Sequence, residues 1–442
     1  MNFSDIKLNE SIQKSLVDLD FINPTPIQIK AIPFLLESNQ DLISLAQTGT
    51  GKTAAFGLPI INKINTKDKN TQSIILCPTR ELCLQITKDL KSYSKYVKEL
   101  RITPIYGGSD IRKQMRELKM GSQIVVGTPG RVLDLLNKKK LELKNIEIVV
   151  LDEADEMLNM GFKEDIDLIL EGTNRNKQIL LFSATMPKEV LKISKNYMNE
   201  PKKIQVDSKN EGVIDIEHNY YLVMNLKDRY QALRRICDMN PNIYGIVFCR
   251  TRRECKDISS KLMQDGYNAD SLNGDLSQPQ RDHVMNRFRK KQIQLLVATD
   301  VAARGLDVND LSHIINYNLP DENQIYIHRS GRTGRAGKKG ISIIIGSVRE
   351  ERKILSIQKT INKEIVKKEI PKGKDICEVQ LMNLIDKIIN SDVNNDIEKF
   401  IPSIMEKVSH LKREDLLKQL VSLEFSRFLS FYNNVADINS DD

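Results

Sequence analysis

The sequence Ala46-Gln-Thr-Gly-Thr-Gly-Lys-Thr53 is the strongest local signal for the fold of the first half of the chain. It lies between an apolar run, Asp41–Ala46, and an amphipathic stretch, Ala54–Ile64, which predicts a strand, a glycine-rich loop and a helix in that order. In this context the backbone N–H groups of the loop converge on phosphate oxygens, and the helix N-terminus favours their negative charge. We therefore expect Lys52 to reach the β- and γ-phosphates of a nucleotide and the Thr53 hydroxyl to hold Mg²⁺.

A second predicted strand, within Val149-Val-Leu-Asp-Glu-Ala-Asp155, ends in carboxylates. Asp152 is placed to orient Mg²⁺ through water, and Glu153 is placed to activate the attacking water as a general base. Both motifs have plainer explanations. The first is a chance Gly-Lys-Thr turn, since Ala46 replaces the usual first glycine, and the second is an acidic helix N-terminus after a strand. Because Lys52 and these carboxylates occur in the same half of the chain, we predict a nucleotide-hydrolysing site.

Apolar, β-branched runs alternate with longer amphipathic stretches along most of the chain. Nearly continuous Val, Ile and Leu runs are typical of strands buried on both faces of a parallel sheet, and alternation with helices indicates a doubly wound α/β fold in each half. The predicted strands are Asp41–Ala46, Ser73–Pro78, Gln123–Thr128, Glu147–Asp152, Gln178–Ser183, Tyr244–Cys249, Leu295–Thr299, His313–Asn318 and Ile341–Ile345.

Changes in composition predict the domain boundaries. A polar stretch with one glycine, Val206–Asp215, separates the two halves, and the strand pattern gives way to helical spacing after Pro371 and Gly373. We predict a first domain at 1–206, a linker at 207–214, a second domain at 215–368, a linker at 369–375, a helical module at 376–436 and a disordered tail at 437–442.

The overall composition narrows the class of protein. The net charge is +8 although 59 acidic residues are present, which favours a polyanion-binding face over a uniformly basic tail. The six cysteines contain no C-x-x-C pair, and the five histidines show no metal-ligand spacing, so we expect neither a disulfide framework nor a zinc site. The absence of a signal pattern or a long apolar run favours a cytoplasmic protein.

The motifs together resemble the DEAD-box family of ATP-dependent RNA helicases. Asp152-Glu153-Ala154-Asp155 gives that family its name, and further family motifs stand in order along 2–368. The matching stretches are Asp20-Phe-Ile-Asn-Pro-Thr-Pro-Ile-Gln28, Pro78-Thr-Arg-Glu-Leu82, Gly107-Gly108, Thr128-Pro-Gly-Arg131, Ser183-Ala-Thr185, Val247-Phe-Cys-Arg-Thr251, Asn273-Gly-Asp275, Gln278-Pro-Gln-Arg281, Ala298-Thr-Asp-Val-Ala-Ala-Arg-Gly-Leu-Asp307 and His328-Arg-Ser-Gly-Arg-Thr-Gly-Arg335. Asp20 stands where the family usually has glycine. The resemblance implies an α/β fold with two tandem RecA-like parallel-sheet domains plus a small all-helical C-terminal module.

The resemblance also implies an ATP site. Glu153, Lys52, Arg332, Arg335 and Asp152 are its expected catalytic residues, with the two arginines reaching the γ-phosphate only when the domains close. The expected ATP-binding residues are Phe3, Phe21, Gln28, Ala46, Gln47, Thr48, Gly49, Thr50, Gly51, Lys52, Thr53, Asp307, Arg332 and Arg335. Ser183, Thr185, Asp155 and His328 are expected to couple hydrolysis to strand separation.

RNA is the expected macromolecular partner. Aromatic residues make up 5% of the chain and Trp is absent, so contacts to phosphates and 2′-OH groups are expected in place of base stacking, with little sequence specificity. The expected RNA-binding residues are Pro78, Thr79, Arg80, Gly107, Gly108, Thr128, Pro129, Gly130, Arg131, Arg250, Thr251, Asn273, Gly274, Gln278, Arg281, Thr299 and Asp300.

The C-terminal module resembles the helical dimerisation module of some bacterial cold-shock-type DEAD-box helicases. Its apolar spacing, which includes Leu416, Leu420 and Phe428, fits either a subdomain packed on the second domain or a homodimer interface, and we favour the homodimer. The predicted activity is ATP-dependent local separation of RNA duplexes or remodelling of RNA–protein complexes. The alternatives are a DNA translocase and an RNA clamp with slow ATP turnover, and the roles in RNA metabolism left open include ribosome biogenesis, mRNA decay and the response to cold stress.

Overall fold

Two β-sheets of seven strands each form the centre of the molecule. The structure is a computed structural model that describes residues 2–46, 49–205, 216–303, 308, 310–334, 339–391, 395–433 and 438–439. The first sheet contains β1 (Leu42–Leu45), β2 (Ser73–Leu76), β3 (Ile102–Ile105), β4 (Ile124–Gly127), β5 (Ile148–Asp152), β6 (Gln178–Ser183) and β7 (Lys202–Gln205). The second contains β8 (Ile216–Val223), β9 (Gly245–Phe248), β10 (Ala269–Leu272), β11 (Leu295–Ala298), β12 (His313–Asn316), β13 (Gly340–Ser347) and β14 (Val366–Lys367).

The two sheets have the same topology. The order is β3-β4-β2-β5-β6-β1-β7 in the first and β10-β11-β9-β12-β13-β8-β14 in the second, with parallel pairing between all neighbouring strands. Parallel strands present their carboxyl ends at one edge of a sheet, so the loops that follow them are brought together. This arrangement confirms the prediction of two tandem RecA-like domains.

Helices cover both faces of each sheet, as parallel strands require. The first domain has α1 (Glu10–Asp18), α2 (Pro26–Glu37), α3 (Lys52–Lys63), α4 (Arg80–Tyr93), α5 (Ile111–Lys119), α6 (Pro129–Asn137), α7 (Ala154–Asn159), α8 (Lys163–Gly172) and α9 (Lys188–Tyr197). The second has α10 (Arg229–Met239), α11 (Arg252–Gln264), α12 (Gln278–Arg289), α13 (Asp300–Ala303), α14 (Asn323–Ser330) and α15 (Glu351–Ile361). Short 3₁₀ helices occur at Phe3–Asp5, Leu226–Asp228, Val348–Glu350 and Asn395–Phe400. In the described part of the chain, no helix has the length and apolar character needed to cross a membrane.

Every strand predicted from the sequence is present, and five further strands were not predicted. The missed strands are β3, β7, β8, β10 and β14. β7 and β14 lie at sheet edges and carry exposed lysines, so they lack the continuous apolar run of a central strand. β8 pairs with both β13 and β14, but it includes the polar residues His218 and Asn219, both buried. His218 Nδ1 lies 2.8 Å from the Tyr326 hydroxyl, and this hydrogen bond satisfies that ring nitrogen inside the domain.

The C-terminal module is made of α16 (Gly373–Ile389), α17 (Ile401–Val408) and α18 (Arg413–Asn433). It packs on the second domain around Asp238 of α10, whose carboxylate accepts hydrogen bonds from the Tyr267 and Tyr432 hydroxyls. Tyr432 is buried, and the guanidinium of Arg234 lies 3.7 Å from the centroid of the Phe431 ring. The plainer expectation, a subdomain packed on the second domain, therefore describes part of this module.

The structure also bears on the predicted connections. The linker predicted at 207–214 lies outside the described residues. The second predicted linker, 369–375, overlaps the first turn of α16, because that helix begins at Gly373. A Cβ at Gly373 would lie 2.7 Å from the backbone oxygen of Tyr432, so the absence of a side chain permits the close approach of α16 to α18. The tail predicted at 437–442 includes Asn439, which is described and accepts a hydrogen bond from the Ile370 N–H at 2.6 Å.

Candidate functional site

The phosphate-binding loop follows β1 and leads directly into α3. Gly49 and Gly51 have φ values of +90° and +86°, a left-handed conformation that a side chain would strain. Lys52 begins α3, is 6% exposed, and donates a hydrogen bond from Nζ to the Ala46 carbonyl oxygen at 3.1 Å. This contact holds the ammonium group over the loop. The predicted ligands Gln47 and Thr48 lie outside the described residues.

The N-terminal segment clamps this loop from one side. Gln28 donates from Nε2 to the Gly51 carbonyl at 3.0 Å, and Thr25 donates from Oγ1 to the Thr50 carbonyl at 2.8 Å. Gln28 Oε1 in turn accepts the Thr25 N–H at 2.8 Å, which fixes the Gln28 amide at the start of α2. A Cβ at Gly51 would lie only 2.4 Å from Gln28 Nε2, so the glycine is required for this approach as well as for its backbone conformation. The loop and Gln28 therefore form one unit.

The two predicted aromatic contacts of the nucleotide are adjacent. The Phe3 and Phe21 ring centroids are 5.6 Å apart, and Phe21 lies 5.8 Å from the ring of Tyr93. Phe3 is 2% exposed, whereas Phe21 is half-buried. In this arrangement Phe21 has accessible ring surface and Phe3 supports it from inside the domain.

Two acidic residues follow β5 beside the loop. Burial raises the pKa of Asp152 to about 6, against the opposing charge of Lys52. Glu153 has a φ of +51°, and its N–H donates to Asp152 Oδ1 at 3.0 Å. Its Oε2 is buried and accepts no hydrogen bond from the residues that the structure describes. A left-handed non-glycine residue with an unsatisfied carboxylate oxygen is costly, and such strain is concentrated at functional sites.

These groups fit a magnesium ion. Mg²⁺ prefers oxygen ligands and is held by one or two carboxylates together with phosphates and water. The Thr53 hydroxyl, next to Lys52 in the sequence, and the Asp152 carboxylate, whose pKa the charge of Lys52 lowers, supply such oxygens. Among the described residues, no group of three or more His, Cys, Asp or Glu side chains could hold a metal ion by itself.

Asp155 joins elements from both domains and is 1% exposed. Its Oδ2 accepts hydrogen bonds from Thr185 N–H at 2.9 Å and from Thr185 Oγ1 at 2.7 Å. Ser183 Oγ donates to the Thr185 carbonyl at 2.7 Å, which orders the loop after β6. From the second domain, His328 Nε2 lies 3.8 Å from the same Asp155 oxygen. The structure thus brings together all four residues expected to couple hydrolysis to strand separation.

Glu156 completes this contact and was not predicted from the sequence. Its carboxylate is hydrogen-bonded to His328 Nδ1. Burial by itself lowers the pKa of His328, but its hydrogen bond to the Glu156 carboxylate and the charges of Glu156, Asp155 and Glu153 outweigh burial and raise the pKa. The closed interface therefore favours the imidazolium form.

The arginines near His328 have different surroundings. Arg329 is 3% exposed and binds Asp300 through Nε at 2.6 Å and Nη2 at 2.8 Å. Asp300, expected to contact RNA, is therefore engaged within the second domain. Arg332 lines a cavity between the domains together with Glu156 and His328. The other two residues expected at the nucleotide, Arg335 and Asp307, lie outside the described residues.

Two ion pairs cross the cleft between the expected RNA motifs. Arg80 lies 3.1 Å from Asp282, and Arg281 lies 2.6 Å from Glu81, so each domain contributes one cation and one carboxylate. A Cβ at Gly108 would lie 3.7 Å from Gln278 Oε1, which places two further motif residues side by side. The carboxylates were not predicted, because nothing in the local sequence indicates a partner from the other domain.

Other expected RNA-binding residues stand at the starts of helices. Thr79 and Thr251 each accept a hydrogen bond through Oγ1, from Leu82 N–H at 3.2 Å and Glu254 N–H at 3.1 Å, and so cap α4 and α11. The remaining members of the expected set are Pro78 before α4, Gly107 before α5, Thr128, Pro129, Gly130 and Arg131 at the start of α6, Arg250 before α11, Asn273 and Gly274 after β10, and Thr299 after β11. Asn273 is only 1% exposed, and its Oδ1 accepts a hydrogen bond from the Asp275 N–H at 3.0 Å.

Three family models match successive parts of the chain. The DEAD/DEAH box helicase model matches residues 25–193, and the helicase conserved C-terminal domain model matches residues 228–337. The model of the helical domain of a probable ATP-dependent RNA helicase matches residues 376–433.

Curated relatives are similar over most of their length. The DEAD-box ATP-dependent RNA helicase CshA of Bacillus cereus is 43% identical over 395 residues, which is 89% of this chain and 75% of that protein. The ATP-dependent RNA helicase CshA of Listeria monocytogenes is 43% identical over 408 residues, 92% of this chain and 78% of that protein.

Solved structures are similar across both domains. A DEAD box protein from the hyperthermophile Methanococcus jannaschii is 44% identical, with a TM-score of 0.50 over 83% of this chain and 99% of that chain. Dbp5 of S. cerevisiae bound to RNA and ADP BeF3 is 30% identical, with a TM-score of 0.77 over 86% of this chain and 99% of that chain.

The raised pKa of His328 predicts a pH-dependent interface. Because the pKa is raised, the interaction is fully present below the ordinary histidine pKa of about 6.5 and is lost as pH rises through the raised value. RNA affinity in the presence of a non-hydrolysable ATP analogue, measured from about pH 6 to about pH 9, is expected to fall across that window. His328→Gln should remove this component and His410→Gln, at an exposed position of the C-terminal module, should retain it. A pH profile that is the same in His328→Gln and the unmodified protein would exclude this role.

Proposed function

Since the chain belongs to the DEAD-box family of ATP-dependent RNA helicases, we propose a role for each part of its site. The protein is an ATP-dependent RNA helicase, an enzyme that hydrolyses ATP. In our proposal the loop from Ala46 to Thr53 and Lys52 bind the phosphates, and Glu153 is the general base for the attacking water. The strained backbone of Glu153 and its unpaired buried oxygen support this assignment, because a bound water would satisfy that oxygen.

Mg²⁺ is the proposed partner of ATP. Thr53 and Asp152 would hold it, Asp152 partly through water, and the ion would neutralise charge on the phosphates. Arg332 and Arg335 are proposed to stabilise the charge that develops on the γ-phosphate, and Asp307 to contact the ribose. The position of Arg332 beside His328 in the cavity between the domains supports its part of this proposal.

The observation that carries the coupling mechanism is the position of Asp155 between the two domains. Its contacts with Thr185 and His328 join the hydrolysis site to the loop after β6 and to the second domain. The arrangement of the whole chain resembles RNA- and ADP BeF3-bound Dbp5 at a TM-score of 0.77, although the archaeal protein with the higher identity has 0.50. This likeness supports the proposal that ATP and RNA bind together to the closed arrangement described here.

Local strand separation is the proposed result of closure. The RNA motifs of both domains meet at the cleft, where phosphates and 2′-OH groups are the expected contacts. Nucleic-acid stacking is worth about 1.4 kcal/mol per step, so differential binding of one bent strand by several kcal/mol separates a few pairs. Hydrolysis would then reopen the clamp. A cytoplasmic location and participation in ribosome biogenesis or cold stress stay predictions.

Homodimer formation through the C-terminal module is a further part of the proposal. Side chains of this module expose large apolar surfaces, among them Leu423 at 79%, Ile389 at 72% and Phe400 at 63%. Concentrated apolar exposure marks interaction sites on soluble proteins, and self-complementary helical faces form two-fold dimers.

Sedimentation velocity tests the dimer. The protein is expected to sediment at twice its chain mass, and Leu423→Lys is expected to shift it to the monomer because the substitution places a charge in the apolar interface. Leu168→Lys changes a leucine on α8 that is 53% exposed, and should leave the mass unchanged. A monomer for the unmodified protein at micromolar concentration would reject this part of the proposal.

Steady-state ATP hydrolysis with and without RNA tests the main assignment. RNA is expected to stimulate hydrolysis, and Glu153→Gln is expected to lower the stimulated rate by about 10²–10⁴-fold while ATP and RNA still bind, because the base is lost and the fold is retained. Glu147→Gln, an exposed position just before the same strand, is the matched control and should keep full activity. Full RNA-stimulated turnover by Glu153→Gln would remove Glu153 from the mechanism. Absence of RNA stimulation in the unmodified protein would favour the slow-turnover RNA clamp.

A further inference from the structure

One face of α5 is formed by positively charged side chains. Arg112, Arg116 and Lys119 are exposed and follow one another at intervals of one helical turn, and Lys113 lies at the margin of the same face. The opposite face carries Ile111, Met115 and Leu118, which pack against the core of the first domain. None of the four cations forms an ion pair with another residue that the structure describes.

This distribution of charge does not favour the helix itself. Like charges one turn apart destabilise a helix by about 0.2–0.5 kcal/mol per pair. Arg112 and Lys113 also occupy the first turn, where the helix dipole disfavours cations, whereas Arg116 and Lys119 occupy the last turn, where it favours them. Asp110 compensates in part at the N-terminal end, because it caps the helix by accepting the Arg112 N–H at 2.9 Å. A polyanion lying along the exposed face would reverse both penalties.

The position of α5 identifies the polyanion. The helix begins three residues after Gly108, which lies beside Gln278 of the second domain at the proposed RNA cleft. Arg131, another proposed RNA contact, donates from Nη1 to the Ser109 carbonyl at 3.3 Å and to Gln114 Oε1 at 3.4 Å. α5 is therefore fixed to two of the proposed RNA motifs.

Gln114 also connects α5 to the loop before it. It is 5% exposed, and its Nε2 donates to the Tyr106 carbonyl at 3.0 Å. Tyr106 in turn stacks on the guanidinium of Arg80, 4.8 Å from its ring centroid. The contacts from Arg80 through Tyr106 and Gln114 therefore connect the basic face to the proposed RNA motifs.

We propose that the α5 basic face, formed by Arg112, Arg116 and Lys119, binds the phosphodiester backbone of RNA that continues beyond the cleft. The inference rests on the proposed RNA-binding role of the cleft and extends it to a second surface of the first domain. Contacts to phosphates carry little base specificity and position the RNA. A helicase that separates strands locally gains from such a surface, because it retains the flanking RNA while the cleft opens and closes.

A matched surface lies elsewhere on the same domain. Lys188, Lys192 and Lys195 of α9 repeat the spacing of Arg112, Arg116 and Lys119, and they are also exposed. However, α9 connects β6 to β7 at the edge of the sheet opposite β3, whereas α5 follows β3. Replacing these three lysines changes the net charge by the same amount as the α5 triple variant, but leaves the α5 basic face and the cleft unchanged.

The test compares three proteins by fluorescence anisotropy over a range of salt concentrations. They are the unmodified chain, the triple variant Arg112→Gln, Arg116→Gln, Lys119→Gln, and the control Lys188→Gln, Lys192→Gln, Lys195→Gln. The probes are the shortest single strand that fully stimulates ATP hydrolysis and the same strand carrying, at either end, a single-stranded extension or a duplex arm. The α5 variant should bind the short strand normally and bind one extended probe more weakly, with the salt slope reduced by roughly 2–3 units because three phosphate contacts are lost.

The outcomes separate this inference from the function on which it rests. If the α5 variant has a lower affinity only for the probe with the duplex arm, the face binds duplex RNA. If its affinity is lower for the probe with the single-stranded extension, the face binds a continued single strand. Equal affinity and slope of the α5 variant and the unmodified chain on every extended probe overturn the inference, as does equal weakening by the α9 control. If the α5 variant no longer binds the short strand, the inference is also overturned, because α5 would then act only by supporting the structure of the cleft. If the unmodified chain fails to bind the short strand, the proposed RNA cleft fails together with the α5 face.

Discussion

The buried carboxylate of Asp155 is the interaction on which the arrangement of the two domains depends. It accepts two hydrogen bonds from Thr185 of its own domain and faces His328 of the other, while Glu156 is hydrogen-bonded to the same imidazole. A buried carboxylate is stable only when its oxygens are satisfied and its charge is compensated. The loop after β6 and the helix α14 must therefore be in place together, which ties the nucleotide site to the relative position of the domains.

At the expected RNA-binding motifs, charged side chains form ion pairs that cross from one domain to the other. Arg80 and Arg281 pair with Asp282 and Glu81 across the domains, and the side chains of the second pair are only 15% and 14% exposed. In our proposal, the phosphates of a bound RNA strand contact the same arginines, so the RNA would compete with the carboxylates for them. In our proposal, nucleotide and RNA each favour the closed arrangement through a separate set of charged groups, so each would contribute part of the free energy of closure.

The sequence predicted the fold where its signals are local. Continuous apolar runs gave the central strands, and the phosphate loop was placed correctly between β1 and α3 because glycines, lysine and threonine occur together there. The short or polar strands β7, β10 and β14 lack such runs and were missed. Glu156, Glu81 and Asp282 were missed because their partners come from the other domain. The hydrophobic periodicity of a sequence gives no information about contacts between residues that are far apart in it. The four coupling residues were named only through the family resemblance, although the structure does bring them together.

The role of the Asp155 carboxylate in closure can be measured as the distance between the two domains, by single-molecule fluorescence transfer in Asp155→Asn and in the unmodified protein. One dye on each domain reports closure when a non-hydrolysable ATP analogue and RNA are added together. If the Asp155 carboxylate holds the domains together, the unmodified protein closes when both ligands are present. Asp155→Asn is then expected to bind either ligand alone but to stay largely open with both, because the charge facing His328 is lost. Equal closure of the two proteins at the same ligand concentrations would contradict it.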